Sequence, residues 1–158
     1  MFYFSTFVVL LVPQLVFSDR DDSIAILVSG GLDVINFETM TSVELLLSDG
    51  TPWCSLPSLP DGGRGGHTQS GLVACGCADM GQYEAGGSCV TFSGGQWRTS
   101  HYLQHRRSGH ASWASTQHGP VLIGGGTGDG GDDTGYTTEM VTDDGDSQGS
   151  FPLKYYTG

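Results

Sequence analysis

Five histidines, four cysteines and a run of acids near the C-terminal end are the residues of this 158-residue chain with the chemical means to act. His101 and His105 have the spacing that places two ligands on one helix face, but the residues around them alternate like a strand. His67 and His110 recur with a sequence repeat described below, and this gives both a structural role. Cys75 and Cys77 are too close for the usual zinc pair, and no second close pair follows, so zinc is not expected. Asp129, Asp132 and Asp133 lie on glycine-rich backbone with more acids after them, which makes them weak calcium candidates. The EF-hand spacing is absent, and a solvated acidic loop is the plainer reading. Ser147 sits in Gly145-Asp146-Ser147-Gln148-Gly149, the string of a nucleophile elbow. An elbow needs an apolar strand before it and a helix after it; neither is legible, so the segment reads as a polar turn. The glycine-rich stretch from Gly124 to Gly131 lacks the Lys-Ser/Thr ending of a phosphate loop. No catalytic residue and no cofactor is expected, and the chain reads as a non-enzyme.

Charge narrows the partners. Seventeen acidic side chains stand against six basic ones, a formal charge of −11. Such a surface repels phosphate backbones and argues against nucleic acid. Residues 1–18 carry no charged side chain; an apolar run from Phe7 to Val12 is broken at Pro13, and Asp19-Arg20-Asp21-Asp22 turns abruptly polar. This is the layout of a secretory signal peptide, with cleavage expected after Ser18 and a mature domain at 19–158. The run is short for a membrane span of about 20 apolar residues. Export to an oxidising compartment makes disulfides the expected state of Cys54, Cys75, Cys77 and Cys89. Membrane attachment is not expected once the segment is cleaved.

Short apolar runs separated by Gly, Asp, Ser or Pro fill the rest, and helical periodicity is nearly absent. The expected class is therefore all-β. Strands are expected at Ile24–Ser29, Val43–Leu47, Leu72–Cys75, Cys89–Phe92, Gln96–Tyr102, Ala111–Ala114, Val121–Ile123 and Thr137–Thr142. Above this lies a repeat. An apolar strand runs into glycine at Gly30-Gly31, at Gly76 and at Gly124-Gly125. Trp53 and Trp97 are 44 apart; Arg64-Gly65-Gly66-His67 and Arg107-Ser108-Gly109-His110 are 43 apart. Thr41-Ser42-Val43-Glu44 returns loosely at Thr137-Thr138-Glu139. A period in the forties suits a four-stranded propeller blade.

Strand, paired glycines, second strand, Trp, then Arg-x-x-His resembles the kelch repeat over residues 24–158. Cys77 replaces the second glycine of the middle repeat, and the usual tyrosine before the Trp is not evident. The resemblance implies kelch-like β-propeller blades, about two complete and two partial, hence either a truncated propeller whose remaining blades lie elsewhere, the simpler reading, or a chain that assembles with other copies. It implies that the glycines end the second strand of each blade and that Trp53 and Trp97 fill the gaps between blades. It further implies a hairpin in which Cys75 faces Cys89 across a loop at 77–88. Cys75–Cys89 is then the favoured disulfide, with Cys77 a competitor for Cys89 and Cys54 without an obvious partner. A secreted, extracellular domain binding a protein or glycan through its loops is the expected function, the loop at 77–88 being the most distinctive. The alternative is a piece of a secreted propeller enzyme, for example of oxidase type, with its active residues in blades absent here.

Overall fold

The computed structural model describes residues 25–33, 35–47, 52–79, 84–114, 121–128, 133–142 and 147–152. The signal segment and its cleavage point lie outside them. The described chain is all-β, with one short 3₁₀ turn at Asp133–Tyr136. Among the described residues no helix is long and apolar enough to cross a membrane.

The strands form successive antiparallel sheets. The first contains β1 (Ala25–Ser29), β4 (Val43–Leu47) and β5 (Cys54–Leu56) in that order. The ladder of β2 (Leu32–Asp33) and β3 (Glu38–Thr39) continues the β1–β4 hairpin beyond Gly30-Gly31. The second sheet is a meander of β6 (Thr68–Ser70), β7 (Val73–Asp79), β8 (Glu84–Ser93) and β9 (Gln96–Tyr102). The third is a meander of β10 (Ala111–Ala114), β11 (Val121–Gly124), β12 (Thr137–Val141) and β13 (Ser147–Pro152).

Two apolar clusters join the sheets face to face. Leu27, Val43 and Leu59 pack against Ala74, Val90 and Trp97, which joins the first sheet to the second. Cys75, Cys89 and Leu103 pack against Val121, Ile123 and Val141, which joins the second to the third. Strand alternation explains the division, because Ala74 and Cys75 are neighbours and must point to opposite faces.

Several expectations change here. The segment at 77–88 is mostly ladder rather than loop: Cys77 pairs with Gly86, Ala78 with Ala85 and Asp79 with Glu84. The register shifts between Cys75 and Cys77, where Gly76 at φ +69° takes up the irregularity and pairing resumes beyond it. Cys77 therefore lies opposite Gly86 rather than in a turn facing Cys89. Ser147 begins β13 and is not in a turn. Trp97 is buried and stacks at a tilt on Phe92 with ring centroids 5.3 Å apart. Trp53 is 48% exposed, on the face of the first sheet turned away from the second, which no described sheet covers.

Cys75 and Cys89 are directly paired across β7 and β8, and their sulfurs are bonded. The bridge spans a sequence separation of 14. Loop-closure entropy for a loop of about that length is worth about 3 kcal/mol. Cys75→Ala/Cys89→Ala is expected to lose that much unfolding free energy in denaturant titration, while dithiothreitol lowers wild type and leaves the variant unchanged.

Candidate functional site

The polar residues singled out by the repeat meet at the seams between sheets. Arg64 follows β5 and points into the second sheet. Its Nη1 donates to the Gly76 carbonyl at 3.0 Å and the Ser88 carbonyl at 2.8 Å, and Nη2 donates to Ser88 Oγ at 2.7 Å. Arg107 follows β9 and does the same to the third sheet. Its Nη1 donates to the Gly125 and Thr137 carbonyls at 2.9 and 3.1 Å, and Nη2 to Thr137 Oγ1 at 2.8 Å. Gly76 corresponds to Gly125 and Ser88 to Thr137. The third glycine pair is thus Gly125-Gly126, both at positive φ, while Gly124 still pairs within β11.

The glycines are needed because each arginine's own backbone presses on the sheet behind it. A Cβ on Gly30 would overlap the Arg64 carbonyl and come within 2.9 Å of His67 Cε1. One on Gly76 would overlap the Arg107 carbonyl and the His110 ring. Both glycines also hold φ near +60 to +69°.

The two seams differ in charge. Glu139 is fully buried, and its Oε1 lies 2.7 Å from Arg107 Nη2. The same carboxylate accepts the backbone N–H groups of Gln104 and His105. At the corresponding place in the second sheet stands Val90. Arg64 therefore has no carboxylate there, its Nε has no hydrogen-bond partner, and burial pulls its guanidinium below the ordinary value. Sequence reading gave Arg64 and Arg107 as repeat markers but missed Glu139 as a buried counter-ion. The Thr-Thr-Glu repetition was the available signal.

His67 and His110 sit beside these arginines. His67 Nε2 is 3.0 Å from Ser29 Oγ, which in turn bonds Gln69. Both ring nitrogens of His110 are buried without a partner. Burial first, then the neighbouring arginine, pushes each imidazole down to about 4. At neutral pH both are uncharged packing groups. Ser70 Oγ donates to Ser112 Oγ at 2.9 Å, which ties the first strands of the second and third sheets together.

No family model matches this chain, and neither does any curated protein. The remaining candidates are scattered. His101 is buried in β9, and His105 is held at its backbone by Glu139. Cys54 is exposed at the start of β5. Asp129, Asp132 and His118 lie outside the described residues; Asp133 opens the 3₁₀ turn. Among the described residues, no three His, Cys, Asp or Glu side chains are grouped to hold a metal ion.

One exposed feature was not anticipated. At the tip of the β2–β3 hairpin, Asp33 Oδ1 accepts the backbone N–H groups of Ile35 and Asn36, and Oδ2 accepts Asn36 Nδ2 at 2.7 Å. Those bonds hold the Asp33 carboxyl below its usual range. The turn presents Ile35 at 67% and Phe37 at 63% exposure, with Phe37 in the left-handed region at φ 56°. Asp-x-x-Asn between two strands was its signal in the sequence.

Two predictions follow from the seams. Glu139→Gln leaves the Arg107 charge buried without its counter-ion and is expected to cost about 3–5 kcal/mol. Replacing both partners with apolar residues, as in Arg107→Met/Glu139→Leu, is expected to cost less than the single change in the same urea titration. The histidines carry a pH dependence of definite sign. Their folded values near 4 lie below the ordinary imidazole value of about 6.5, so the unfolded chain binds more protons between those limits. Stability is therefore full above pH 6.5 and falls as pH drops toward 4, by at most about 3 kcal/mol per histidine. His67→Asn/His110→Asn is expected to flatten that part of the curve measured by thermal unfolding.

Proposed function

We propose that this chain is a secreted, non-enzymatic binding domain built from kelch-like propeller blades, which recognises an extracellular protein through hairpin tips at one rim. The observation that carries this reading is the β2–β3 tip. Two large apolar side chains stand in solvent on a turn fixed by three hydrogen bonds to Asp33. Exposed apolar groups on a rigid support lose little entropy on binding. An aromatic residue at positive φ is a conformation that sterics disfavour, and its retention at an exposed site fits a role in contact.

The reading of blades rests on the order of sheets and seams. Each repeat supplies a strand, a glycine turn and a second strand, and the first two each supply an arginine that docks into the following sheet. The arginines and histidines of the repeat are engaged in packing, which supports a scaffold rather than a reaction centre. Rigid scaffolds with variable tips suit recognition.

The test uses the full secreted chain against an array of extracellular proteins and a glycan array. A saturable protein partner is expected, with binding weakened at least tenfold by Ile35→Ser/Phe37→Ser and melting temperature unchanged. Phe37→Gly is expected to raise stability by about 0.5–1 kcal/mol while weakening the same binding. Partners indifferent to both variants, or glycans alone, would sink the tip as the contact element.

A further inference from the structure

The two seams place different atoms beside their histidines. In the first, Ser29 precedes Gly30, is paired with Val43 across β1 and β4, and bonds to the second sheet. Its hydroxyl donates to Gln69 Oε1, so the 3.0 Å contact with His67 Nε2 is a ring N–H donating to Ser29 Oγ. In the second seam, Cys75 precedes Gly76 and is paired with Cys89 across β7 and β8. It packs with Leu103, Val121, Ile123 and Val141 on the side of the third sheet. A histidine lies over the glycine in both seams. A Cβ on Gly30 would lie 2.9 Å from His67 Cε1, and one on Gly76 would lie 2.5 Å from His110 Cε1. Cys75 therefore takes the place of Ser29, and His110 the place of His67.

The exchange leaves a mark on His110. The Cys75 sulfur is bonded to Cys89. His110 is 6% exposed, and neither of its ring nitrogens has a hydrogen-bond partner. A buried donor without an acceptor is a cost, and here the oxidised chain carries it. A disulfide sulfur accepts a hydrogen bond weakly, whereas an ionised acceptor roughly doubles the strength of such a bond. Reduction would supply that acceptor at the position where the first seam has the Ser29 oxygen.

We propose that Cys75–Cys89 is a reversible redox site, at which a dithiol reductant opens the bridge and the His110 ring N–H receives the Cys75 sulfur. One thiolate of the reductant attacks Cys89 Sγ, the S–S bond breaks, and its electron pair leaves on Cys75 Sγ toward His110. The second thiolate of the reductant then attacks the reductant sulfur of the mixed disulfide and releases Cys89. The reductant is oxidised to a disulfide, and the two protons it gave up end on Cys75 and Cys89. Both cysteines are buried, at 1% and 0% exposure, so attack occurs when the seam between the second and third sheets opens. After reclosure the reduced chain holds Cys75 against His110 as Ser29 is held against His67, with the sheets packed as before. The site is separate from the β2–β3 tip and does not depend on what that tip binds.

The test equilibrates the full secreted chain in dithiothreitol buffers of graded reduced-to-oxidised ratio. Alkylated Cys75 and Cys89 are quantified by peptide mass, with circular dichroism recorded alongside. Wild type is expected to reduce and reoxidise along one curve with its β-sheet signal unchanged. His110→Phe removes the ring N–H and is expected to need a ratio about tenfold more reducing for half reduction. His110→Asn keeps an N–H donor and is expected to return the midpoint toward wild type. His67→Phe, the same change in the other seam, is expected to leave the midpoint where it is. In wild type with isotope-labelled histidine, reduction is expected to move the ring-nitrogen resonances of His110 and not those of His67. That measurement needs no variant and decides the matter alone if His110→Phe does not fold. An unchanged midpoint in folded His110→Phe, a His110 ring indifferent to reduction, or reduction only with loss of the β-sheet signal would each overturn the site.

Discussion

An arginine leaving the last strand of one sheet and hydrogen-bonding inside the next is the contact on which the other features of this fold depend. Apolar faces attract without fixing direction, and two sheets joined by leucine and valine alone could settle at more than one angle. The planar guanidinium of Arg64 removes that freedom by donating to two carbonyls and a hydroxyl at once, and Arg107 repeats the arrangement one sheet further on. Because the arginine backbone then presses on the sheet behind, Gly30 and Gly76 can carry no side chain. The histidine three residues later is carried into the same seam, dry and uncharged.

That logic was partly legible in the sequence. The apolar strands stood out because alternation and turn residues bracket them, and β4, β9 and β10 occur over the expected residues. The strands without an apolar signature were invisible. Thr68-Gln69-Ser70 is polar, and Gln69 and Ser70 bond to Ser29 and Ser112 of the neighbouring sheets rather than fill a core. Cys54–Leu56 is too short to show a period, and β13 reads as turn residues throughout. The shift of the third glycine pair from 124 to 125 could not be found by spacing, since it depends on which carbonyls the arginine reaches. The hairpin tip was missed because Ile35 and Phe37 resemble core residues when only their types are known.

The two seams are not copies of each other in energetic terms. The seam between the second and third sheets contains a buried ion pair and the disulfide face of β7 and β8. The seam between the first and second contains Trp97 and a guanidinium whose Nη atoms bond two carbonyls and a hydroxyl. Substituting Val90 for an acid trades electrostatic compensation for apolar area, and Arg64 retains its charge against burial.

The central meander, β6 to β9, joins only strands adjacent in sequence, so its loops close early during folding. Among the described sheets it is the one with a packed neighbour on each face, and it alone contains a described covalent cross-link. In a chain of stacked repeats, stability is a sum of unit and nearest-neighbour terms. Structure should then nucleate in the middle and propagate outward, with amide protons of β8 exchanging last and those of the outer sheets first. Fraying would expose the flanking sheets while the cross-linked centre persists, so a nicked or partly unfolded molecule would retain a β-sheet kernel around Cys75 and Cys89.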